Sequence, residues 1–189
     1  PALDDHIFRL DLRVKDPVLW DLENPEMYSA VVSVMLGSEV VDRYETKFGF
    51  RTLLFTARDG FFLNGKRVEV RGVCNHHDLG ALGAAINTRA LERQLEILKE
   101  MGCNAIRTSH NPPAPELLDL CDRMGFLVED EAFDVWKTPK KSGDYNKLFY
   151  SWHVEDLKAM VRRDRNHPSV FIWSIGNEVN DQNNPALSE

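Results

Sequence analysis

From Phe61 onward, short strand-like runs alternate with amphipathic helix patterns, and this alternation constrains the fold more than any other feature of the chain. Arg67–Val73, Asn104–Ser109, Phe126–Glu131 and Val170–Ile175 read as strands. Between them, Thr88–Met101 reads as a helix with Leu91, Leu95, Leu98 and Met101 on one stripe. Thr88 is placed to cap its start and Gly102 to end it. Ala114–Met124 reads as a second helix, with Pro113 and Pro115 near its start and Gly125 just past its end. Tyr150–Asp164 reads as a third, with Val154, Leu157 and Val161 on one face. Strands that alternate with helices imply βαβ units and a parallel sheet. An eight-stranded barrel takes about 250 residues, so this region is expected to supply roughly half of one.

The first 57 residues read differently. Residues 7–14 alternate apolar and polar side chains, the period of a half-buried strand. Residues 28–36 and 39–48 read as two more strands, joined by a turn at Gly37-Ser38, and no helical pattern occurs. The expected fold is mixed: the C-terminal part of an immunoglobulin-like β-sandwich over 1–57, then strands 1–4 of a (β/α)8 TIM barrel over 58–189. The chain begins with Pro1 rather than Met, so its natural start is expected upstream. Export is therefore left open.

The formal net charge of −7 disfavours a nucleic-acid or anionic-membrane partner, either of which selects a basic face. No apolar run approaches the roughly 20 residues that span a bilayer. The three cysteines (Cys74, Cys103, Cys121) show no metal-ligand spacing and read as reduced thiols, with Cys74 beside the candidate site.

The exits of the barrel strands carry the chemistry. The first strand runs out into Cys74-Asn75-His76-His77-Asp78, and the second ends in Arg107-Thr108-Ser109-His110-Asn111-Pro112. The third ends in Glu129-Asp130-Glu131, and the fourth runs through Trp173-Ser174-Ile175-Gly176 into Asn177-Glu178. All four exits are ionisable and lie on one sheet edge, where (β/α)8 folds build active sites. Glu178 is the foremost candidate for a catalytic acid. The loop from Ala132 to Phe149 is long and polar, as functional loops often are.

These residues resemble part of a glycoside hydrolase family 2 enzyme, of the β-galactosidase and β-glucuronidase group. The match rests on Leu19-Trp20-Asp21 with Asn24-Pro25 and Tyr28, Phe48-Gly49-Phe50-Arg51, Phe62-Leu63-Asn64-Gly65-Lys66 and Arg71-Gly72-Val73 followed by His76. Arg107–Pro112, Asp130-Glu131-Ala132 and Trp173–Glu178 complete it. The run His76-His77-Asp78-Leu79-Gly80 is more like β-galactosidases of polysaccharide-degrading bacteria than glucuronidases.

The resemblance implies a retaining mechanism on a terminal β-galactoside, with two carboxyl groups roughly 5 Å apart. Glu178 would be the general acid and later the base. Asn177 would hydrogen-bond the sugar 2-hydroxyl, His76 and His110 would contact the sugar, and Arg107 would orient the nucleophile. Asp130 and Glu131 would reach ring hydroxyls or support those that do. The nucleophile would come from a seventh strand outside these residues, so the chain alone is expected to be inactive. Some relatives hold magnesium through a Glu and a His after the third strand. Val135 and Lys137 stand at those places here, so no metal or other cofactor is expected. Trp136 reads equally as a sugar platform or a core residue. The unpaired sheet edge of a half barrel invites association with a second copy. Three rivals stay open. One is β-glucuronidase or β-mannosidase activity. Another is a metal-dependent barrel hydrolase built on His76, His77, Asp78 and His110. The third is a non-catalytic carbohydrate-binding fragment.

Overall fold

The computed structural model describes residues 7–183. Two antiparallel strands, β1 (Tyr28–Leu36) and β2 (Glu39–Phe48), form a ribbon across the Gly37-Ser38 turn. Gly37 supplies the left-handed backbone the turn requires, at φ 63°. Residues 7–14 depart from expectation and form no strand. Ile7, Phe8, Leu10 and Leu12 are 78–87% exposed. Alternation marks which side chains share a face, but a strand also needs a neighbour to take its backbone hydrogen bonds. No described strand runs alongside this segment.

The run Phe48-Gly49-Phe50-Arg51 fastens the ribbon to the parallel sheet. Any side chain on Gly49 would meet Pro168, since a Cβ there would lie 2.8 Å from the proline Cγ. The Arg51 guanidinium donates to the carbonyls of Pro168 and Val170. Trp20 is fully buried beside it; its backbone N–H donates to Phe50 O and its indole N–H to Asp122 O, each at 2.8 Å.

A small antiparallel sheet comes next: β3 (Leu53–Thr56), β4 (Gly60–Leu63) and β5 (Lys66–Val68). Asn64-Gly65, with φ of 52° and 76°, makes the two-residue hairpin turn between the last two. The run Arg67–Val73, expected as one strand, is divided: Lys66–Val68 closes this hairpin, and β6 (Gly72–His76) opens the parallel sheet. Asn104 grips the corner, accepting from Arg71 N at 2.7 Å and donating to Glu69 O at 2.8 Å. Period-two alternation runs through such a corner unbroken, so the change of partner leaves no trace in the pattern.

The parallel sheet takes β6, β7 (Ala105–Ser109), β8 (Leu127–Glu131) and β9 (Val170–Ser174) in chain order. The crossovers carry α1 (Thr88–Glu100), α2 (Pro115–Met124) and α3 (Asn146–Asp164). Leu91 and Leu95 of α1 and Leu118 and Cys121 of α2 pack on Ile106, Val128 and Val170. Towards the N-terminal ends of the strands, the other face is closed by Trp20, Phe61 and Leu63 against Ala105 and Leu127. Under α3, Phe149 and Met160 pack with Ala132 and Phe133. The register sets His76 beside Ser109, Arg107 beside Glu129 and Glu131 beside Ser174, so all four C-terminal strand ends share one edge.

Helix details differ locally from expectation. Asn87, not Thr88, caps α1, its side chain accepting from Ala90 N at 2.9 Å. Met101 is 69% exposed and lies off the buried stripe. α3 begins at Asn146, four residues early, because Phe149 is one of its anchors. All three cysteines are free thiols.

Gly125 ends α2 in the left-handed conformation, at φ 70°, with Leu22 O 2.2 Å from where a Cβ would sit. Gly125→Ala should therefore combine left-handed strain with a backbone clash, a loss of roughly 2–5 kcal/mol. Thermal unfolding of the protein checks this; an unchanged midpoint would show that the Leu22 segment yields.

Candidate active site

Glu131, at the end of β8, organises the strand-end cluster. Its carboxylate is fully buried, a position tolerable only with partners. Arg107 of β7 forks onto it, with Nη2 2.7 Å from Oε2 and Nε 3.0 Å from the same oxygen. His110 Nδ1 lies 2.7 Å from Oε1, and Ser174 Oγ donates to Oε2 at 2.7 Å. The Glu131 backbone N–H donates to Thr108 Oγ1 at 3.0 Å. Three neighbouring strands thus meet on one carboxylate.

The network reaches the candidate acid through Asn177. Arg107 Nη2 also donates to Asn177 Oδ1 at 2.9 Å, and Asn177 Nδ2 donates to Asp134 Oδ1 at 2.9 Å. Lys140 Nζ donates to Asp134 Oδ1 at 2.8 Å and to Asn177 O at 2.7 Å. Burial works to raise the Asp134 carboxyl, but the hydrogen bonds from Lys140 and Asn177 outweigh it and hold it below its ordinary range. Glu178 comes next with φ 46°, an uncommon conformation for a residue with a Cβ that costs roughly 1–3 kcal/mol. Its neighbours Asn177 and Val179 are buried while Glu178 itself is exposed. The left-handed backbone therefore turns one carboxyl outward between two anchored residues.

His76, at the end of β6, meets His110 edge to face with ring centroids 5.1 Å apart. Cys74 Sγ lies 3.8 Å from Arg107 Nη1. A cleft of about 540 Å³ opens beside His110, bounded by Phe133, Asp134, Tyr145 and Met160. The His76, His77, Asp78 and His110 side chains do not converge as a metal cluster. His77 Nε2 lies 3.1 Å from Ala84 O, and Asp78 Oδ1 accepts from Gly80 N at 2.5 Å. The residues after β8 do not fit the magnesium site of some relatives. Val135 is a buried apolar residue, and the Lys137 ammonium lies over the Tyr150 ring. Trp136 is half-buried, stacking on Phe149 and donating to Ile175 O at 2.6 Å.

Asp130 departs from expectation. Successive residues of a strand face opposite ways, so Asp130 and Glu131 cannot line one pocket. Asp130 is fully buried and points towards the end of α3, where Asp164 lies. Burial, then the nearby Asp164 carboxylate, push it up to about 8, against the pull of Arg163 and His167. Ser174, Asp134 and Lys140 are members of the network that no sequence pattern singled out. Register would have suggested Ser174, which pairs with Glu131. Asp134 and Lys140 lie on an irregular loop, where no periodicity points.

Asp130 gives a pH prediction. Its folded value lies above the unfolded carboxyl value, so the folded protein holds a proton that the unfolded chain releases. Stability should fall as pH rises from about 4 to about 8. Asp130→Asn should flatten the decline in melting temperature over that window. An identical pH slope in the variant would remove Asp130 as its source.

The model of glycosyl hydrolases family 2, TIM barrel domain, matches residues 56–187, and that of glycosyl hydrolases family 2 matches residues 2–51. β-Galactosidase BoGH2A of Bacteroides ovatus is 59% identical over 97% of this chain, which spans 22% of that protein. The β-glucuronidase of Mus musculus is 37% identical over 85% of the chain, which spans 24% of it. Among solved structures, a β-glycosidase from Bacteroides vulgatus superposes with a TM-score of 0.89 at 43% identity, over 93% of this chain and 23% of that one. A Ruminococcus gnavus β-glucuronidase, solved with D-glucaro 1,5-lactone, superposes with a TM-score of 0.77 at 34% identity, over 88% of this chain and 28% of that one. The chain thus spans 22–28% of the length of these relatives. It belongs to glycosyl hydrolases family 2.

Proposed function

We propose that the protein is a retaining glycosidase acting on terminal β-galactosides, with Glu178 as its general acid and base. The observation that carries this reading is the exposed Glu178 carboxyl held beside Asn177, whose amide is locked to Arg107 and through it to Glu131 and His110. Such a group is free to meet a substrate while its backbone is fixed, which is what proton transfer to a leaving oxygen requires. The likeness to β-galactosidase BoGH2A, at 59% identity, favours galactose over glucuronate.

In this reading His76 and His110 face the sugar and Asn177 takes its 2-hydroxyl, a contact that strengthens in the transition state. Arg107 bridges Asn177 and Glu131, so it holds the 2-hydroxyl contact in place as well as facing the nucleophile. Glu131 acts from behind. Asp130 has no part at the sugar, because it faces the helices. The nucleophilic carboxylate comes from outside residues 1–189, placed roughly 5 Å from the acid. Once the nucleophile is esterified and the leaving group has gone, Glu178 serves as the base that activates water. Residues 58–189 are then the first half of the catalytic barrel, and residues 1–57 the end of an immunoglobulin-like sandwich. The exposed apolar side chains of β1 and β2, such as Val32 and Val34, fit a ribbon that the rest of such a sandwich covers.

Glu178→Ala in the full-length enzyme should cut hydrolysis of unactivated galactosides on the order of 100- to 10,000-fold. Azide should restore turnover of activated aryl galactosides as the β-galactosyl azide. Wild-type rates without an azide effect would dismiss Glu178 from the role. Isolated residues 1–189 should hydrolyse nitrophenyl galactoside no faster than buffer; turnover surviving rigorous purification would place both carboxylates within this chain.

A further inference from the structure

The loop between β8 and α3 reaches back over the segment that carries Glu178. Its side chains at alternate positions 136, 138 and 140 all bond to residues 175–181. The Trp136 indole N–H donates to Ile175 O at 2.6 Å. Thr138 donates through both N and Oγ1 to the Asp181 carboxylate, each at 2.8 Å. Lys140 Nζ donates to Asn177 O at 2.7 Å, and to Asp134 O and Oδ1 at 3.0 and 2.8 Å. Asp144 Oδ2 braces the loop from behind, accepting from Lys140 N and Lys141 N at 2.8 and 2.5 Å.

The bonds of Trp136, Thr138 and Asp144 secure the ends of the segment or the loop itself. Among the described residues, Lys140 alone bonds to the peptide joining Asn177 to Glu178. An ammonium has three donors and no acceptor, and here all three find oxygens. Two of those oxygens belong to Asp134, whose carboxylate also accepts from the Asn177 side-chain amide. A single cation therefore fixes the carbonyl before Glu178 and the carboxylate that orients the side chain next to it. A residue at φ 46° keeps that conformation only where its surroundings impose it.

We propose that Lys140 is a positioning residue for the catalytic acid: by clamping the Asn177 carbonyl and Asp134, it holds Glu178 in the left-handed turn that aims its carboxyl at the leaving group. The proposal rests on the assignment of Glu178 as general acid. Lys140 neither touches the sugar nor transfers the proton. Its loss should leave the sugar contacts of His76 and His110 in place while the acid drifts.

The test uses the full-length enzyme and two galactosides that differ in their need for an acid. A 2,4-dinitrophenolate leaves without protonation, whereas a phenolate needs it. Lys140→Met should lower kcat/KM for phenyl galactoside on the order of 100-fold, the loss that a misplacement of about 1 Å produces. It should leave the dinitrophenyl substrate within a few fold. Equal losses on both substrates, or no loss on either, would overturn the proposal. If the Met variant does not fold, Lys140→Arg takes its place: the longer, planar guanidinium does not fit three oxygens arranged for an ammonium. A smaller split in the same direction is then expected, and equal losses overturn it. Glu178→Ala, run in parallel, separates the two readings. A split in Glu178→Ala but not at Lys140 removes only the positioning role, whereas no split in Glu178→Ala removes the acid assignment and the proposal with it.

Discussion

A fully buried carboxylate has to be answered by the protein, and Glu131 is answered from both neighbouring strands at once. Arg107, His110 and Ser174 all terminate on it. Removing one member of such a buried set leaves an uncompensated charge, a loss on the order of 3–5 kcal/mol. That penalty makes the cluster rigid. The ends of β7, β8 and β9 cannot shift independently without breaking a charge-assisted bond. Asn177 joins the same set through Arg107, so the rigidity extends to the residue before Glu178.

Rigidity behind and freedom in front describe the whole edge. The groups that answer Glu131 are half-buried or buried, while Glu178 is exposed and stands on a strained backbone between two anchored residues. The loop after β8 adds a second restraint from the outside, with Trp136, Thr138 and Lys140 spaced so that each reaches the segment around Glu178. The parallel sheet positions the residues, the buried carboxylate locks them, and the loop clamps the turn that carries Glu178.

Much of this was legible in the chain. Helix stripes and Gly or Pro punctuation located α1, α2 and β7 to β9 to within a few residues, because burial of one face demands a period and helix ends demand particular residues. The convergence of His76, Arg107, Glu131 and Asn177 on one edge came from parallel topology. The division of Asp130 from Glu131 was also within reach, since neighbours on a strand point oppositely. The break between β5 and β6 was not, because alternation does not change when a strand changes partner. The missing strand at 7–14 had the same cause: its side-chain pattern was intact, but pattern does not supply a ladder.

The sequence by itself determined the strand–helix alternation, the polar strand exits and the family, since each is written in local periodicity or in short motifs whose order suffices. Only the tertiary structure decided that Arg107, His110 and Ser174 meet on the Glu131 carboxylate, that Asp130 is a buried acid under a helix, and that Lys140 sits on the Asn177 carbonyl. Those outcomes depend on which atoms meet across tens of residues of chain. A buried charge or a backbone carbonyl chooses its partner by distance in space, and distance in space is not written in the spacing of residues along a loop.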